Sequence, residues 1–457
     1  MSIVVTNPYE KRERICVSHY PLPAEPPDPA AVPGLMSLDA PARRGGEKAM
    51  YIHIPFCDKI CNFCPFNKQL MDEEKLNRYV TRLKREIDDY ARTPLVSSFT
   101  FGSLAIGGGT PSCLSADQMH DLITHCRTVL RFGPEAEIGI EGNPSNFDAE
   151  KLAAAREAGG NRISFGVQTF NDDFASMLEI PQEPETSRLA TRVARDAGYD
   201  NVGIDLIYNL PGQTLEQWRA DVSEAIDWRY DHVTLFSLII PPFTRLFSKI
   251  DKGRLDPPGE HDHEISMYRM AAQMLREAGY EQYSVYDFAL PGKINKHAVL
   301  YFSDQADLLG AGAAAFGYLG GYMYVNKGPL TEYQEAVDRG DKPVLIGSPA
   351  DRDEEMCGAM AKGLRLFSVR RPRFRELFGV DPTDVFGEKI ERLADQGLLE
   401  VTDEEIRLTE DGVFWGNNVC REFFSARYAE IEAIPREVLA RGRLMKAGQA
   451  PPRRIRD

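Results

Sequence analysis

The chain has 457 residues, 43% of them apolar, and carries 54 Lys and Arg against 69 Asp and Glu, a formal charge of −15. That length predicts two or three domains with substantial cores, and the acidic balance excludes general nucleic-acid affinity, which draws on clustered Lys and Arg. No run approaches the ~18 apolar residues of a membrane span, and no charged leader with an apolar stretch opens the sequence, so a soluble protein of the reducing cytoplasm is expected.

Residues 1–48 are rich in Pro between Pro21 and Pro33 and lack a sustained period, so they read as an extended arm wrapped on the next domain. Arg43-Arg44 within the arm, and Arg453, Arg454 and Arg456 in the tail 431–457, read as solvated segments. From residue 49 the pattern alternates strand and helix. Strands are predicted at 50–55, 99–106, 136–141, 162–167, 202–208 and 232–240. Amphipathic helices follow near 73–92, 115–131, 148–158, 184–197, 214–227 and 262–278. Six such units imply parallel strands with right-handed crossovers.

Polar residues cluster at the C-terminal ends of successive strands. They are Cys57, Cys61 and Cys64, then Gly107, Gly108, Gly109 and Thr110, then Glu141 and Asn143, then Gln168, with Asp205 inside the fifth strand. Convergence from five strands on one mouth is the logic of a barrel, whereas a Rossmann sheet concentrates such groups at one switch point. The predicted fold is therefore α/β, a partial (β/α)6 TIM-like barrel over 49–345 with its extension. A small-residue stretch, 310–317, permits either close backbone approach to a ligand or tight packing. Residues 346–430 show a helix at 384–396, a hairpin at 398–409 and a helix at 410–424, the order of a winged helix. Its acidic surface argues against DNA reading.

Cys57, Cys61 and Cys64 form a C-x3-C-x2-C triplet between Phe56 and Pro65. Three thiolates hold three corners of a 4Fe–4S cluster and leave one iron open, while structural clusters and zinc sites are closed by four protein ligands. His53, a conceivable fourth zinc ligand, lies on a strand and should point into the protein. Cys16, Cys113, Cys126, Cys357 and Cys420 are scattered and read as ordinary thiols. An open iron can chelate the amino and carboxylate groups of S-adenosylmethionine (SAM), and one electron from the cluster then yields a 5′-deoxyadenosyl radical. In that setting Phe63 and Phe66 would keep the cluster dry, the glycines at 107–109 would let backbone approach the methionine end, and Glu141 and Asp205 suit an amine or ribose hydroxyls.

The segments Tyr51-Ile-His-Ile-Pro-Phe-Cys57, Gly107-Gly-Gly-Thr-Pro111, Glu141-Gly-Asn-Pro144, Arg162-Ile-Ser-Phe-Gly-Val-Gln168, Asp205-Leu-Ile-Tyr-Asn-Leu-Pro211 and Asp307-Leu-Leu-Gly-Ala-Gly312 resemble the radical SAM superfamily. Within it they resemble the coproporphyrinogen III oxidase-like (HemN-type) branch, over about residues 49–425. The resemblance implies a 4Fe–4S cluster on the three cysteines and SAM contacts from Tyr51, Gly108, Thr110, Glu141, Gln168 and Asp205. It also implies an electron donor such as flavodoxin or ferredoxin, and a monomer is expected.

The branch holds an oxidative decarboxylase, a heme chaperone and the class C methyltransferases. The decarboxylase has a fourth Cys where this chain has Phe66, an Arg that falls at Ile180 and a Gln that falls at Ala298. The chaperone motif His-Asn-x-x-Tyr-Trp meets His297-Ala-Val-Leu-Tyr301-Phe302. By elimination the expected reaction is class C methyl transfer to an sp2 carbon of a conjugated or aromatic small molecule. A second SAM would then sit among Ile239, Pro241, Pro242, Phe243, Ala298, Tyr301 and Phe316, residues that plain packing explains equally well.

Overall fold

The computed structural model describes residues 8–14, 19–42, 44–303 and 305–429. Cys16, Arg43 and the tail 431–457 lie outside them. Six strands, β1 (Lys48–Ile54), β2 (Phe101–Gly108), β3 (Phe132–Gly142), β4 (Arg162–Gln168), β5 (Val202–Tyr208) and β6 (His232–Ser237), run parallel and in sequence order. Helices α1 (Glu73–Ala91), α2 (Ala116–Val129), α3 (Ala149–Glu157), α4 (Pro184–Asp196), α5 (Leu215–Asp227) and α6 (His261–Glu277) follow each in turn. The predicted strands and helices fall within a few residues of these bounds.

Local chemistry sets the boundaries. Asp72 caps α1 through the amide of Lys75, and Ser115 and Thr214 form capping boxes with Gln118 and Gln217 at the starts of α2 and α5. β1 and β5 are buried on both faces, as strands covered by crossover helices must be. The sixth strand stops at Ser237 rather than 240, because the chain turns toward Pro241.

A seventh parallel strand, β7 (Leu308–Ala311), flanks β1 on the side away from β2. The sequence predicts no strand here; Gly310 and Ala311 open the small-residue stretch 310–317. Three antiparallel strands extend the sheet beyond it: Phe316–Leu319, Tyr322–Asn326 and Val344–Pro349. At the other end Asp287–Ala289 and Glu281–Gln282 pair antiparallel beyond β6. The twelve strands form one open series, so the barrel is partial.

The small-residue stretch is tight packing. Buried Glu86 of α1 takes hydrogen bonds from the Gly312 amide (2.8 Å), Asn326 (2.9 Å) and Tyr333 (2.5 Å), and burial pushes its carboxyl up to about 7.

Residues 350–429 carry helices Arg352–Arg365, Arg371–Phe378 and Pro382–Asp395 and a three-stranded sheet that includes the hairpin Leu399–Val401/Glu405–Leu408. The predicted last helix is two, Glu410–Phe414 and Gly416–Glu422. One apolar core runs from Tyr20 of the arm through the sheet to Tyr428. In the arm, Arg12 reaches Glu264 of α6 (2.5 Å), the Tyr208 hydroxyl (2.8 Å) and the Phe414 carbonyl (2.8 Å), while Arg14 takes the second Glu264 oxygen (2.6 Å). Further on, Ala24 and Glu25 donate backbone hydrogen bonds to Gly347 at the sheet edge. Among the described residues no helix is long and apolar enough to cross a membrane.

Candidate active site

The cysteine loop hangs from the C-terminal end of β1. Phe56–Cys57 pairs in parallel with Gln69–Leu70, which closes the loop that carries Cys61 and Cys64. Asn62 pins its middle, donating from its backbone to the Leu178 carbonyl (3.2 Å) and from its side chain to that of Met177 (2.7 Å). Three cations hold nearby carbonyls: Lys68 on Cys64 (2.6 Å), Arg245 on Ile60 (2.6 Å) and Lys59 on Ile180 (3.1 Å).

Cys57 is buried and accepts a hydrogen bond from Thr110 Oγ1 (3.2 Å), whereas Cys61 and Cys64 are half-buried. Cys61 and Phe63 pack against an apolar group that includes Leu178, Ile180, Leu238 and Leu246. Phe66 does not join them. It is 59% exposed and cannot dry the cluster as its position in the sequence suggested.

The donors fit a 4Fe–4S group. Burial pushes the Cys57 thiol up to about 11 and that of Cys61 up to about 12, and the nearby thiols of the triplet raise both further. Such thiols ionise readily only against cationic metal, which deprotonates the thiols that bind it. Three cysteines would hold three irons of such a cluster and leave the fourth open.

Zinc is further disfavoured because both His53 nitrogens are occupied. Nε2 donates to the Asn67 carbonyl (3.1 Å), so Nδ1 accepts from the Tyr51 hydroxyl (3.1 Å). Cys113, read from sequence as an unrelated thiol, lies beside the loop with its Sγ toward the Phe56 carbonyl (3.6 Å) and Asp58 (3.8 Å).

The glycine turn after β2 has a packing reason of its own. A Cβ on Gly108, where φ is +114°, would sit 2.7 Å from the His53 ring. One on Gly109 would sit 2.9 Å from the backbone of Ile54 and Phe56, and one on Gly107 would strike the Glu141 carboxylate. These residues are glycine first because the protein packs against itself there. The turn in turn brings Thr110 to Cys57.

Glu141, at the end of β3, is exposed by area yet flanked closely by protein, which raises its carboxyl against the opposing pull of Arg162. Half-buried Asp205 is pushed up to about 7, chiefly by burial and then by the charges of Glu141 and Asp287. Two carboxylates that act on each other at one mouth favour a cation between them. Gln168 ends β4 at φ +71°, just after a register skip opposite β5, an uncommon conformation for a residue with a side chain. Buried Gln182 was missed by sequence reading. It accepts from Asn143 (2.7 Å) and donates to the Gly166 carbonyl (2.8 Å), tying the ends of β3 and β4 together.

The residues assigned to a second pocket divide. Half-buried Ala298 and Tyr51 pack on the group that contains Tyr301, and Ile239 is half-buried directly after β6. Phe316 stacks on His19 of the arm, with ring centroids 4.0 Å apart and planes within 7°. His19 Nδ1 also lies 3.3 Å from the Tyr301 hydroxyl. His297 Nδ1 lies 3.0 Å from Ser103 Oγ on β2. Burial lowers His19 to about 3, with Arg365, Lys362 and His297 adding to the effect, and burial lowers His297 to about 4. Both imidazoles are therefore neutral at neutral pH. No periodicity or motif in the sequence pointed to His19, which lies some 280 residues from its partners.

The profile of the Radical SAM superfamily matches residues 51–225, and that of the HemN C-terminal domain matches residues 350–415. The chain is 34% identical over 379 residues to the heme chaperone HemW of Bacillus subtilis, covering 82% of this chain and 99% of that one. It is 29% identical over 408 residues to the oxygen-independent coproporphyrinogen III oxidase of Pseudomonas aeruginosa, covering 85% and 88%. The solved structure of coproporphyrinogen III oxidase (HemN) from Escherichia coli superposes with a TM-score of 0.76 at 26% identity, over 90% of this chain and 96% of that one. These relatives are a heme chaperone and porphyrinogen oxidases, which shifts the weight from methyl transfer to the other two chemistries of the branch. With its 4Fe–4S cluster and SAM as cofactors, the chain belongs to the coproporphyrinogen III oxidase-like (HemN-type) branch of the radical SAM superfamily.

Proposed function

We propose that this protein binds SAM at the cysteine triplet and handles an iron tetrapyrrole, with His297 as the axial ligand. The observation that carries the reading is neutral His297, held at Nδ1 by Ser103 Oγ, near the group in which His19 stacks on Phe316 and meets Tyr301. A neutral imidazole is the form that binds iron, and Ser103 fixes the ring by its other nitrogen, as second-shell partners of metal-binding histidines do. Similarity to the Bacillus subtilis heme chaperone supports the same reading.

Cys57, Cys61 and Cys64 would hold a 4Fe–4S cluster, which would supply the electron for SAM cleavage. Glu141 and Asp205 hold the cationic or hydroxyl-bearing end of SAM, and Thr110 restrains Cys57. Hemin titration tests the proposal. A Soret band should grow to one equivalent and be lost in His297→Ala, and an unchanged band in that variant contradicts the axial assignment.

A second reading, oxidative decarboxylation of coproporphyrinogen III, is favoured by the HemN superposition. It is opposed by Ile180 and Ala298, where the oxidase pattern has Arg and Gln. Carbon dioxide release from that substrate would establish it.

A further inference from the structure

Two short helices meet the cysteine loop, and one carboxylate joins them. The helix Asp172–Leu178 ends at Glu179, whose backbone is left-handed at φ +55°. Gly or Asn usually fills such a helix end, because other side chains crowd the backbone there. The Glu179 carboxylate accepts from Lys249 (2.7 Å) and Arg245 (2.8 Å), both on the helix Arg245–Asp251 that follows β6. Lys249 first, and then Arg245, hold that carboxyl below its ordinary value against the opposing effect of burial.

The residues on either side of Glu179 grip the loop. The Leu178 carbonyl accepts from the Asn62 amide (3.2 Å), and the Ile180 carbonyl accepts from Lys59 (3.1 Å). From the other helix, the Leu246 amide donates to the Asn62 carbonyl (3.1 Å) and Arg245 donates to the Ile60 carbonyl (2.6 Å). Leu246 and Ile250 also join the apolar group on which Cys61 and Phe63 pack. Among the described residues, both ion pairs of the helix Arg245–Asp251 end on Glu179.

We propose that Glu179 is a positioning residue that latches the helix Arg245–Asp251 over the Cys61 side of the loop and keeps water from that thiol. Arg245 is 60% and Lys249 35% exposed, so each pair is weak by itself. The latch therefore tunes access and does not decide whether the loop forms. With a cluster on the triplet, the same cover limits solvent, one of the factors that set an iron–sulfur potential. That second consequence rests on the triplet carrying the cluster, and the first does not.

The test uses the full chain free of metal, with iodoacetamide as the probe and peptide mass spectrometry to follow each cysteine. Glu179→Asn suits the left-handed backbone and removes the charge. It should raise the Cys61 alkylation rate about 2- to 5-fold, the reach of such ion pairs, and leave Cys113 and Cys126 at their wild-type rates. Lys249→Gln, which leaves the helix end untouched, should act in the same direction with a smaller change. The swap Glu179→Lys/Lys249→Glu keeps one carboxylate between two cations and should return the Cys61 rate toward wild type. An unchanged Cys61 rate in both single variants, or an equal rise at Cys113, overturns the proposal. After reconstitution, Glu179→Asn should bleach faster in air than the wild type. A wild type that takes up no cluster would instead strike the cluster reading, while the alkylation rates still decide the latch.

Discussion

The strand ends and the arm side of the molecule are built in different ways. On the strand-end side, each functional group sits within a few residues of a strand terminus, and short contacts fix it: Thr110 to Cys57, Tyr51 to His53, Gln182 across β3 and β4. On the arm side, His19, Ser103, His297, Tyr301 and Phe316 come from four distant segments and meet through stacking and single hydrogen bonds. The first side is set by local geometry at the strand ends, where the cysteine triplet lies. The second depends on how an individual chain wraps, and there a member can acquire its own substrate.

The largest expected effect lies on the strand-end side. Cys57→Ser, Cys61→Ser and Cys64→Ser should each reduce cluster absorbance and SAM cleavage to background. Cys113→Ser should retain both, because its thiol is turned to Phe56 and Asp58. Iron content and visible spectra of the reconstituted variants check this, and cluster loss in Cys113→Ser would show that a fourth thiol takes part.

Next is the anchor of the arm. Glu264→Gln leaves buried Arg12 without its counter-charge, and breaking such a pair costs about 3–5 kcal/mol, measurable by denaturant unfolding. Glu264 is held down to about 2: burial opposes ionisation, but Arg12 and Arg14 outweigh it. The stability it contributes is therefore fully present above about 4.5 and is lost as pH falls toward 2. A wild type with no such acid loss would mean that the arm is not held by this pair.

Gly108→Ala should cost about 1–3 kcal/mol, because φ is +114° and the new methyl would press on the His53 ring. Smaller still is the pH effect at Asp205. With its carboxyl pushed up to about 7, it gains charge as pH rises through that value, so affinity for the sulfonium cofactor should rise between pH 6 and 8. The same shift works against the stability of the fold. The folded state keeps a proton that the unfolded chain releases near its ordinary value of 3.8, so stability falls from about pH 4 to about pH 7. Asp205→Asn should flatten both profiles.

The strand-end side was legible because its logic is short-ranged. A parallel strand places the residues that follow it at the mouth, so the triplet, the glycine turn, Glu141, Gln168 and Asp205 could be located by alternation of strand and helix alone. β7 was not, since Leu308–Ala311 is short and lies among small residues whose strand character comes from pairing with β1. The packing reason for the glycines was not legible, because sequence shows a missing side chain but not the His53 and Glu141 groups beside it. Phe66 was misread because adjacency to Cys64 does not tell which way a loop residue faces. His19 was invisible, since pairing a residue of the arm with Phe316 is a tertiary event with no periodic trace.

The central claim is that the triplet holds an open 4Fe–4S cluster that cleaves SAM. Anaerobic reconstitution, followed by SAM and dithionite, tests it most directly. The account predicts a brown, oxygen-sensitive protein with four irons per chain that forms 5′-deoxyadenosine. A colourless protein, or a loaded cluster that leaves SAM intact, would contradict it.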